Sequence, residues 1–249
     1  MSFYDRFAYF YANGPYPQHS EKMVNLLPPV LARFDAQPQT ILDLACGEGT
    51  FAVAMAKKGF RVTGVDRSPQ MLQFARERAE RENAEVEFHL QDMRSLPFDA
   101  RFDLVTCWFD SLNYILELEG LQKTFAGVYH ALKKAGLFVF DMNTVYGLAA
   151  DWQREPCYIQ QNSPELFEIQ FPSYDFEKRL ATTSILGFAK VGDGWIRMDE
   201  EHKERGYTLE EIRQCAQAVG FHELACWDSL EVMSEPRPHS GRVWFVMQK

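Results

Sequence analysis

The feature that most constrains the fold is an alternation of short apolar segments with amphipathic ones, which continues from residue 40 to residue 143. Residues 40–45 form a short apolar run before a glycine-containing turn, which predicts a buried strand. Strand–helix–strand units of this length need right-handed crossovers, so they predict a parallel sheet with helices on both faces. The predicted strands are 40–45, 61–66, 86–90, 102–109 and 137–142, and the predicted helices are 50–58, 69–83 and 118–134, the last of which ends at Gly136.

The pattern changes after Tyr146. Residues 156–207 lack a helical period, and the turn Gly192-Asp193-Gly194 is typical of a hairpin, so we expect an antiparallel insert. Residues 221–230 and 242–249 would then complete a doubly wound, mostly parallel α/β sheet of seven strands, with a Rossmann-like arrangement. The expected organisation is an N-terminal helical lid at 1–39 that Pro28 and Pro29 break or kink, a core at 40–145, an antiparallel β insert at 146–207, and a closing helix with the last two strands at 208–249.

A glycine loop follows the first predicted strand, with the sequence Asp-Leu-Ala-Cys-Gly-Glu-Gly-Thr over residues 43–50. Its glycines allow a ligand to approach the backbone, and Asp66 at the end of the second strand can accept both hydroxyls of a ribose. The glycine spacing also fits a dinucleotide-binding loop. However, Asp43 and Glu48 would repel a pyrophosphate, whereas they favour a ligand with an ammonium and a sulfonium group.

Five segments of the chain resemble the class I methyltransferases that use S-adenosylmethionine: ILDLACGEGTFA, VTGVDRSPQML, FHLQDMRSLPF, FDLVTCWFDSLNYI and LKKAGLFVFDMN. The resemblance implies that S-adenosylmethionine is the cofactor and S-adenosylhomocysteine the product, with no metal. Ala45 stands where the family often has glycine, and we expect it to adopt an ordinary negative φ. The cofactor contacts that the resemblance implies are Asp43, Ala45, Cys46, Gly47, Gly49, Asp66, Arg67, Asp92, Met93, Cys107 and Trp108, with Tyr16 as an N-terminal aromatic near the cofactor carboxylate.

The segment after the fourth predicted strand is expected to meet the methyl acceptor. It has no Asn/Asp-Pro-Pro-Tyr/Phe motif, which related enzymes that methylate nucleobases carry, so it resembles the small-molecule branch. An O or N acceptor is expected, through in-line displacement at the sulfonium methyl. The predicted acceptor contacts are Phe109, Asp110, Asn113 and Tyr114, and the candidate general bases are His202, Asp110, Tyr207 and His239.

Charge, apolar runs and cysteine content limit the classes of partner and the cellular setting that we expect. Lys and Arg number 26 and Asp and Glu 35, a net charge of −9, which disfavours a nucleic-acid partner. No apolar run reaches the ~18 residues that a membrane helix needs, and the start of the chain lacks a secretory signal. The five cysteines form no C-x-x-C pair, which disfavours zinc and disulfides and predicts a cytoplasmic protein. We expect a monomer or a homodimer. Two alternatives remain open, an NAD-dependent oxidoreductase and a nucleoside-binding protein without catalysis.

Overall fold

The computed structural model describes residues 7–249, and residues 1–6 of the predicted lid lie outside them. All strands are numbered in chain order, and β6–β9 belong to a second sheet. Seven strands form the central sheet: β1 (Thr40–Leu44), β2 (Arg61–Asp66), β3 (Val86–Leu90), β4 (Phe102–Cys107), β5 (Leu132–Asn143), β10 (His222–Trp227) and β11 (Arg242–Gln248). Their order is β10-β11-β5-β4-β1-β2-β3, and only β11 runs against its neighbours. The strand order reverses between β1 and β4, which is where parallel sheets of this type bind ligands. The predicted fold class is confirmed.

Six α-helices accompany the two sheets in the described residues: α1 (Phe7–Asn13), α2 (Pro17–Arg33), α3 (Thr50–Lys57), α4 (Pro69–Arg81), α5 (Leu118–Ala131) and α6 (Leu209–Val219). Local sequence sets several of their ends. Ser68 caps α4 by accepting the Met71 N–H, with Pro69 as its first residue. Thr208 and Glu211 form the predicted capping box of α6.

Two expectations about helices were wrong, namely a break in α2 and the end of α5 near Gly136. Pro28 and Pro29 do not break α2, which continues through both of them to Arg33. Both prolines are exposed, so water can reach the carbonyl groups that lack a helical N–H partner, while buried Leu27 holds the helix on the core. Helix α5 ends at Ala131, before Gly136, because its last carbonyls accept N–H groups from residues 100 and 101 and β5 begins at once.

A second sheet contains four antiparallel strands: β6 (Tyr158–Asn162), β7 (Leu166–Asp175), β8 (Leu180–Val191) and β9 (Gly194–Arg205). The predicted hairpin joins β8 to β9 through Gly192 and Asp193. Helix α1 packs on this sheet, where Phe10 lies among Leu166, Ile185 and Met198. Within residues 7–249, no helix has both the length and the apolar character needed to cross a membrane.

Candidate functional site

A cavity opens at the carboxyl ends of β1 and β2, and we call it the strand-end cavity. Its wall includes six residues of the predicted cofactor site: Ala45, Gly47, Asp66, Arg67, Asp92 and Met93. They come from three separate loops, each of which leaves the same edge of a parallel sheet. The structure therefore brings together the first two predicted motifs and the segment after β3.

The loop after β1 turns sharply, and its backbone departs from our expectation at Ala45. Ala45 has φ +57°, so the expected ordinary φ was wrong. The chain must turn here because the next amide, of Cys46, donates to the carbonyl of Val65 at 2.9 Å. For a residue other than glycine, this left-handed conformation costs about 1–2 kcal/mol. The family's preference for glycine at this position has the same physical reason.

The two glycines of the loop have different tasks. Gly47 has φ +55°, and a Cβ there would face the Tyr11 ring at 3.9 Å, so the missing side chain leaves a cradle in the cavity wall. Gly49 has φ +84°, but a Cβ there would come within 2.9 Å of the Ala75 Cβ. Gly49 therefore allows α3 to approach α4, and it is not among the residues that line the strand-end cavity.

Asp66 ends β2 with its carboxylate fixed in the cavity wall. One oxygen accepts the Gly47 N–H at 2.9 Å, and the other accepts the Ser68 N–H at 2.8 Å. Burial raises its pKa, although both backbone donors favour the charged form. Each carboxylate oxygen has a further lone pair, so Asp66 can still accept hydroxyl groups from a ligand.

The two acidic residues of the loop are not equivalent. Glu48 is buried but forms an ion pair with Arg78 at 2.6 Å, so its charge is compensated within the protein. Asp43 is buried below the loop and accepts the Thr106 hydroxyl at 3.1 Å. Burial, chiefly, raises the pKa of Asp43 to about 8, with Asp66 and Glu48 adding to the effect. The expectation that both acids favour a cationic ligand stays a prediction, although the Glu48 charge is already paired with Arg78.

Asp92 lies on the opposite side of the strand-end cavity. Its carboxylate receives the Arg94 guanidinium at 2.9 and 2.5 Å and the Arg94 backbone N–H at 2.8 Å. These hydrogen bonds lower the pKa of Asp92. Arg94 thus fixes Asp92 in its charged form, which is the form that accepts hydrogen bonds from an amine.

Several other predicted residues lie away from the strand-end cavity. Cys46, Cys107 and Trp108 are buried, and Trp108 packs edge-on against Phe51 in the core. Tyr16 lies in a second cavity, where its hydroxyl contacts Glu168. The N-terminal aromatic residue in the wall of the strand-end cavity is Tyr11. The sequence alone could not select Tyr11 from the many aromatics of this segment, because the choice depends on how α1 docks.

The second cavity lies between the antiparallel sheet and the carboxyl ends of β4 and β5, and we call it the inter-sheet cavity. Phe109 and Asp110 enter its wall from a turn with φ +57° and +51°. Tyr11, Ser111 and Tyr114 line both cavities. The two cavities are therefore neighbours that share these three residues as a boundary.

A buried ionic network forms one side of the inter-sheet cavity. Arg242 contacts Asp110 at 2.9 Å and also pairs with Asp141, which accepts the N–H groups of residues 109 and 110. Asn143 donates to Asp110 at 2.8 Å and to Glu204 at 3.1 Å. Burial, with the Asp110 charge next, raises the pKa of Glu204 well above its usual value. Sequence reasoning missed Arg242 and Glu204, because their proximity depends on the pairing of β11 with β5.

Of the four remaining predicted residues, one lines the inter-sheet cavity and three do not. His202 lines the inter-sheet cavity, with Nδ1 at 3.0 Å from the Tyr114 hydroxyl and Nε2 at 3.3 Å from Glu200. Asn113 is buried and holds the backbone of residues 143 and 205, and Tyr207 is buried with its hydroxyl on the Ile115 carbonyl. His239 is exposed beside Tyr146. Of the four candidate bases, His202 and Asp110 are the two that line this cavity.

The fold and the paired cavities define the class of S-adenosylmethionine-dependent methyltransferases, and comparison with known proteins agrees. The model of a family described as a methyltransferase domain matches residues 41–136. A protein of Geobacillus sp. (strain WCH70) named "Putative methyltransferase" is 33% identical over 250 residues, covering 99% of each chain. This chain belongs to the methyltransferase family, and S-adenosylmethionine is its cofactor.

Solved structures show the same architecture. An S-adenosylmethionine-dependent methyltransferase from Clostridium acetobutylicum ATCC 824 superposes with a TM-score of 0.84 at 26% identity, covering 98% of each chain. CalS10 with bound S-adenosylmethionine, an amino pentose methyltransferase from Micromonospora echinaspora, shares the fold with a TM-score of 0.73 at 18% identity. It covers 100% of this chain and 98% of its own. The antiparallel sheet is thus part of an architecture that these proteins have in common.

Proposed function

We propose that this protein transfers a methyl group to an oxygen or nitrogen of a small molecule held in the inter-sheet cavity. The observation that carries the proposal is the shared boundary of the two cavities at Tyr11, Ser111 and Tyr114. A ligand in the strand-end cavity and a second ligand in the inter-sheet cavity would meet there. Methyl transfer needs such contact between cofactor and acceptor, with water excluded from the reacting atoms.

The strand-end cavity fits S-adenosylmethionine on three grounds. Gly47 provides backbone beside open space, Asp66 presents a fixed acceptor for ribose hydroxyls, and Asp92 presents a charged acceptor beside the Met93 thioether. Asp43 lies beneath the loop as a buried acid that can respond to a cationic ligand. We assign these residues, with Ala45, Arg67 and Tyr11, to cofactor binding.

A bound S-adenosylmethionine supplies an electrophilic methyl group on a sulfonium that already has a good leaving group. The protein's own contribution is to align the acceptor and to exclude water. Phe109, Tyr114 and Trp152 provide apolar and aromatic surface, while Asp110 and His202 offer polar atoms that can orient the acceptor or receive its proton. Tyr207 is assigned no proton transfer, because its hydroxyl is buried on the Ile115 carbonyl.

The acceptor is proposed to be small because the inter-sheet cavity is lined by side chains from both the antiparallel sheet and the segment after β4. The net charge of −9 argues against a nucleic-acid acceptor. CalS10, which shares the fold, is described as acting on an amino pentose, and this agrees with a small acceptor. We also propose a reducing, cytoplasmic setting, since all five cysteines are free thiols.

Calorimetry with S-adenosylhomocysteine and with NAD tests the proposal. Binding of S-adenosylhomocysteine without binding of NAD is expected, and the reverse would favour an oxidoreductase. A panel of small alcohols, phenols, amines and amino sugars, each with isotopically labelled S-adenosylmethionine, then tests turnover. Labelled product from one acceptor class supports the proposal. Tight cofactor binding with no turnover of any class would favour a nucleoside-binding protein without catalysis.

A further inference from the structure

We infer that Tyr114, His202 and Glu200 form a proton relay, in which the Tyr114 hydroxyl receives the proton of the acceptor. The inference deepens the proposed function and rests on it, since it assigns the proton transfer within the same site. It makes Tyr114 a catalytic residue, because Tyr114 touches the acceptor. His202 and Glu200 act through Tyr114 and are positioning residues.

Position and hydrogen bonding together select Tyr114, since Tyr11, Ser111 and Tyr114 all line both cavities and the Tyr114 hydroxyl contacts the His202 imidazole. The 3₁₀ helix Ser111–Tyr114 follows β4 and carries Tyr114 to the boundary of the two cavities, where it lines both. His202, in contrast, lines the inter-sheet cavity and not the strand-end cavity. The acceptor atom must reach the boundary to receive a methyl group, so the Tyr114 hydroxyl is better placed than the imidazole to take its proton.

The hydrogen bonds give the relay a direction. The Tyr114 hydroxyl lies 3.0 Å from Nδ1 of His202, and Nε2 lies 3.3 Å from Oε2 of Glu200. The other Glu200 oxygen accepts the backbone N–H of Phe7 at 2.9 Å, which fixes the carboxylate. A carboxylate facing Nε2 favours the tautomer with its proton there, as in other histidines held by an acid. Nδ1 is then the acceptor for the Tyr114 O–H, and the phenol oxygen can accept from the methyl acceptor.

The surroundings of His202 contain several other charged groups. Asp110, Glu204 and Arg242 line the same cavity, together with the phenols of Tyr11, Tyr16 and Tyr158. Arg242 pairs with Asp110 and Asp141, so its charge is compensated. The Phe7 ring meets the imidazole edge-on at a centroid distance of 4.8 Å and covers it from the side of α1.

The reaction transfers one methyl group and one proton. A lone pair of the acceptor oxygen or nitrogen forms the new bond to the methyl carbon, and the carbon–sulfur bond breaks with its electron pair remaining on sulfur. The acceptor proton passes to the Tyr114 oxygen while the Tyr114 proton passes to Nδ1 of His202. The products are the methylated acceptor, a neutral thioether and an imidazolium next to the Glu200 carboxylate.

Nitrogen-15 NMR of the histidine rings tests the relay without any knowledge of the acceptor. The chain has six histidines, and the signals of His202 are those absent from His202→Gln. In the neutral ring we expect the proton on Nε2, both in the free protein and with S-adenosylhomocysteine. A proton on Nδ1 would overturn the relay, because Nδ1 could not then accept from Tyr114.

Two variants test the links on either side of the imidazole. Tyr114→Phe should move the Nδ1 resonance toward that of a nitrogen with a weaker hydrogen bond, and Glu200→Gln should lower the population of the Nε2–H tautomer. Tyr158→Phe is the matched control, since its hydroxyl bonds to Gln170 in the same cavity, and it should move neither signal. Equal changes in Tyr114→Phe and Tyr158→Phe would contradict the assigned contact.

Steady-state kinetics with the acceptor found in the turnover panel provide a second test of the relay. Tyr114→Phe and His202→Gln should each lower kcat by about 10²-fold or more, the scale for loss of general base catalysis. The affinity for S-adenosylhomocysteine should stay within about threefold in both variants. A loss of kcat in Tyr114→Phe below about tenfold would overturn the relay. If the unmodified protein does not bind S-adenosylhomocysteine, the proposed function fails, while the tautomer still reports on the relay itself.

Discussion

Asp66 carries the most direct prediction for a single residue. Its carboxylate is fixed by the N–H groups of Gly47 and Ser68, so it is already oriented before a ligand binds. Asp66→Ala should weaken binding of S-adenosylhomocysteine by about 1–3 kcal/mol, the scale for losing hydrogen bonds to a charged group. Glu77→Ala on the exposed side of α4 is the control. Equal affinities for Asp66→Ala and Glu77→Ala, measured by calorimetry, would show that the ribose does not contact Asp66.

Asp43 makes cofactor binding sensitive to pH. Its pKa is about 8 in the folded protein, against about 4 for an exposed aspartate, so it is mostly protonated at pH 7. A cationic ligand favours the charged form, so binding of S-adenosylmethionine, whose sulfonium carries a positive charge, should release a proton and become tighter as pH rises from 6 to 8. Calorimetry in buffers with different ionisation enthalpies measures this release. Asp43→Asn should abolish it, and a buffer-independent enthalpy for the unmodified protein would contradict the role of Asp43.

The same residue affects stability. Between about pH 4 and pH 8 the unfolded chain has lost the Asp43 proton while the folded protein retains it. A folded state that binds more protons loses stability as pH rises, so the Asp43 contribution to the free energy of unfolding falls through this window. The burial of Asp43 is thus unfavourable for the ligand-free protein at neutral pH. Such unfavourable burial of an ionisable group is typical of functional sites.

At the scale of secondary structure, Asn113 joins three elements. Its amide donates to the carbonyls of residues 143 and 205 and accepts the N–H of residue 143, so it ties the 3₁₀ helix to β5 and β9. Asn113→Ala should lower the free energy of unfolding by about 1–3 kcal/mol, because buried backbone groups lose their partners. Asn25→Ala removes an amide that bonds to one carbonyl on the exposed face of α2, and it should cost under about 0.5 kcal/mol. Urea denaturation of both variants compares them.

The elements that sequence could predict are those with local signals. Ser68-Pro69 fixes the start of α4 and the Thr208 capping box fixes the start of α6, because each signal acts within one helical turn. The end of α5 was predicted wrongly, because its last carbonyls are satisfied by a loop about 30 residues earlier in the chain. Gly136 resembled a helix end, but the left-handed residue there is Ala135.

The residues of the candidate site also divide into those that the sequence pattern could locate and those that it could not. Ala45, Gly47 and Asp66 could be found because strand ends and loops at the carboxyl edge of a parallel sheet follow from the strand pattern. Arg242, Asp141 and Glu204 could not, because they meet only through the pairing of β11 with β5 and the docking of a second sheet. Asn113 and Tyr207 have the residue types of an active site, yet the structure buries both in hydrogen bonds to the backbone.

For the molecule as a whole, ligand binding should appear as added stability. A ligand that binds only the folded chain raises the free energy of unfolding by about 2.7 kcal/mol at a hundredfold excess over Kd. S-adenosylhomocysteine should therefore raise Tm in a concentration-dependent way, and NAD should leave Tm unchanged. Differential scanning calorimetry measures both. In Asp66→Ala the same increase should need a higher ligand concentration, and an identical titration curve would contradict cofactor binding at this cavity.

The two cavities share Tyr11, Ser111 and Tyr114 but differ in the rest of their walls. The strand-end cavity is lined by residues between 11 and 115, whereas six residues of β6–β9 line the inter-sheet cavity: Tyr158, Gln170, Thr183, Ile185, His202 and Glu204. If the acceptor binds in the inter-sheet cavity as proposed, mutations in β6–β9 should alter the choice of acceptor and leave the nucleoside site intact. Related genes can acquire different acceptor specificities through changes in these four strands. Replacing β6–β9 with the corresponding strands of a related protein is therefore a way to engineer a new specificity.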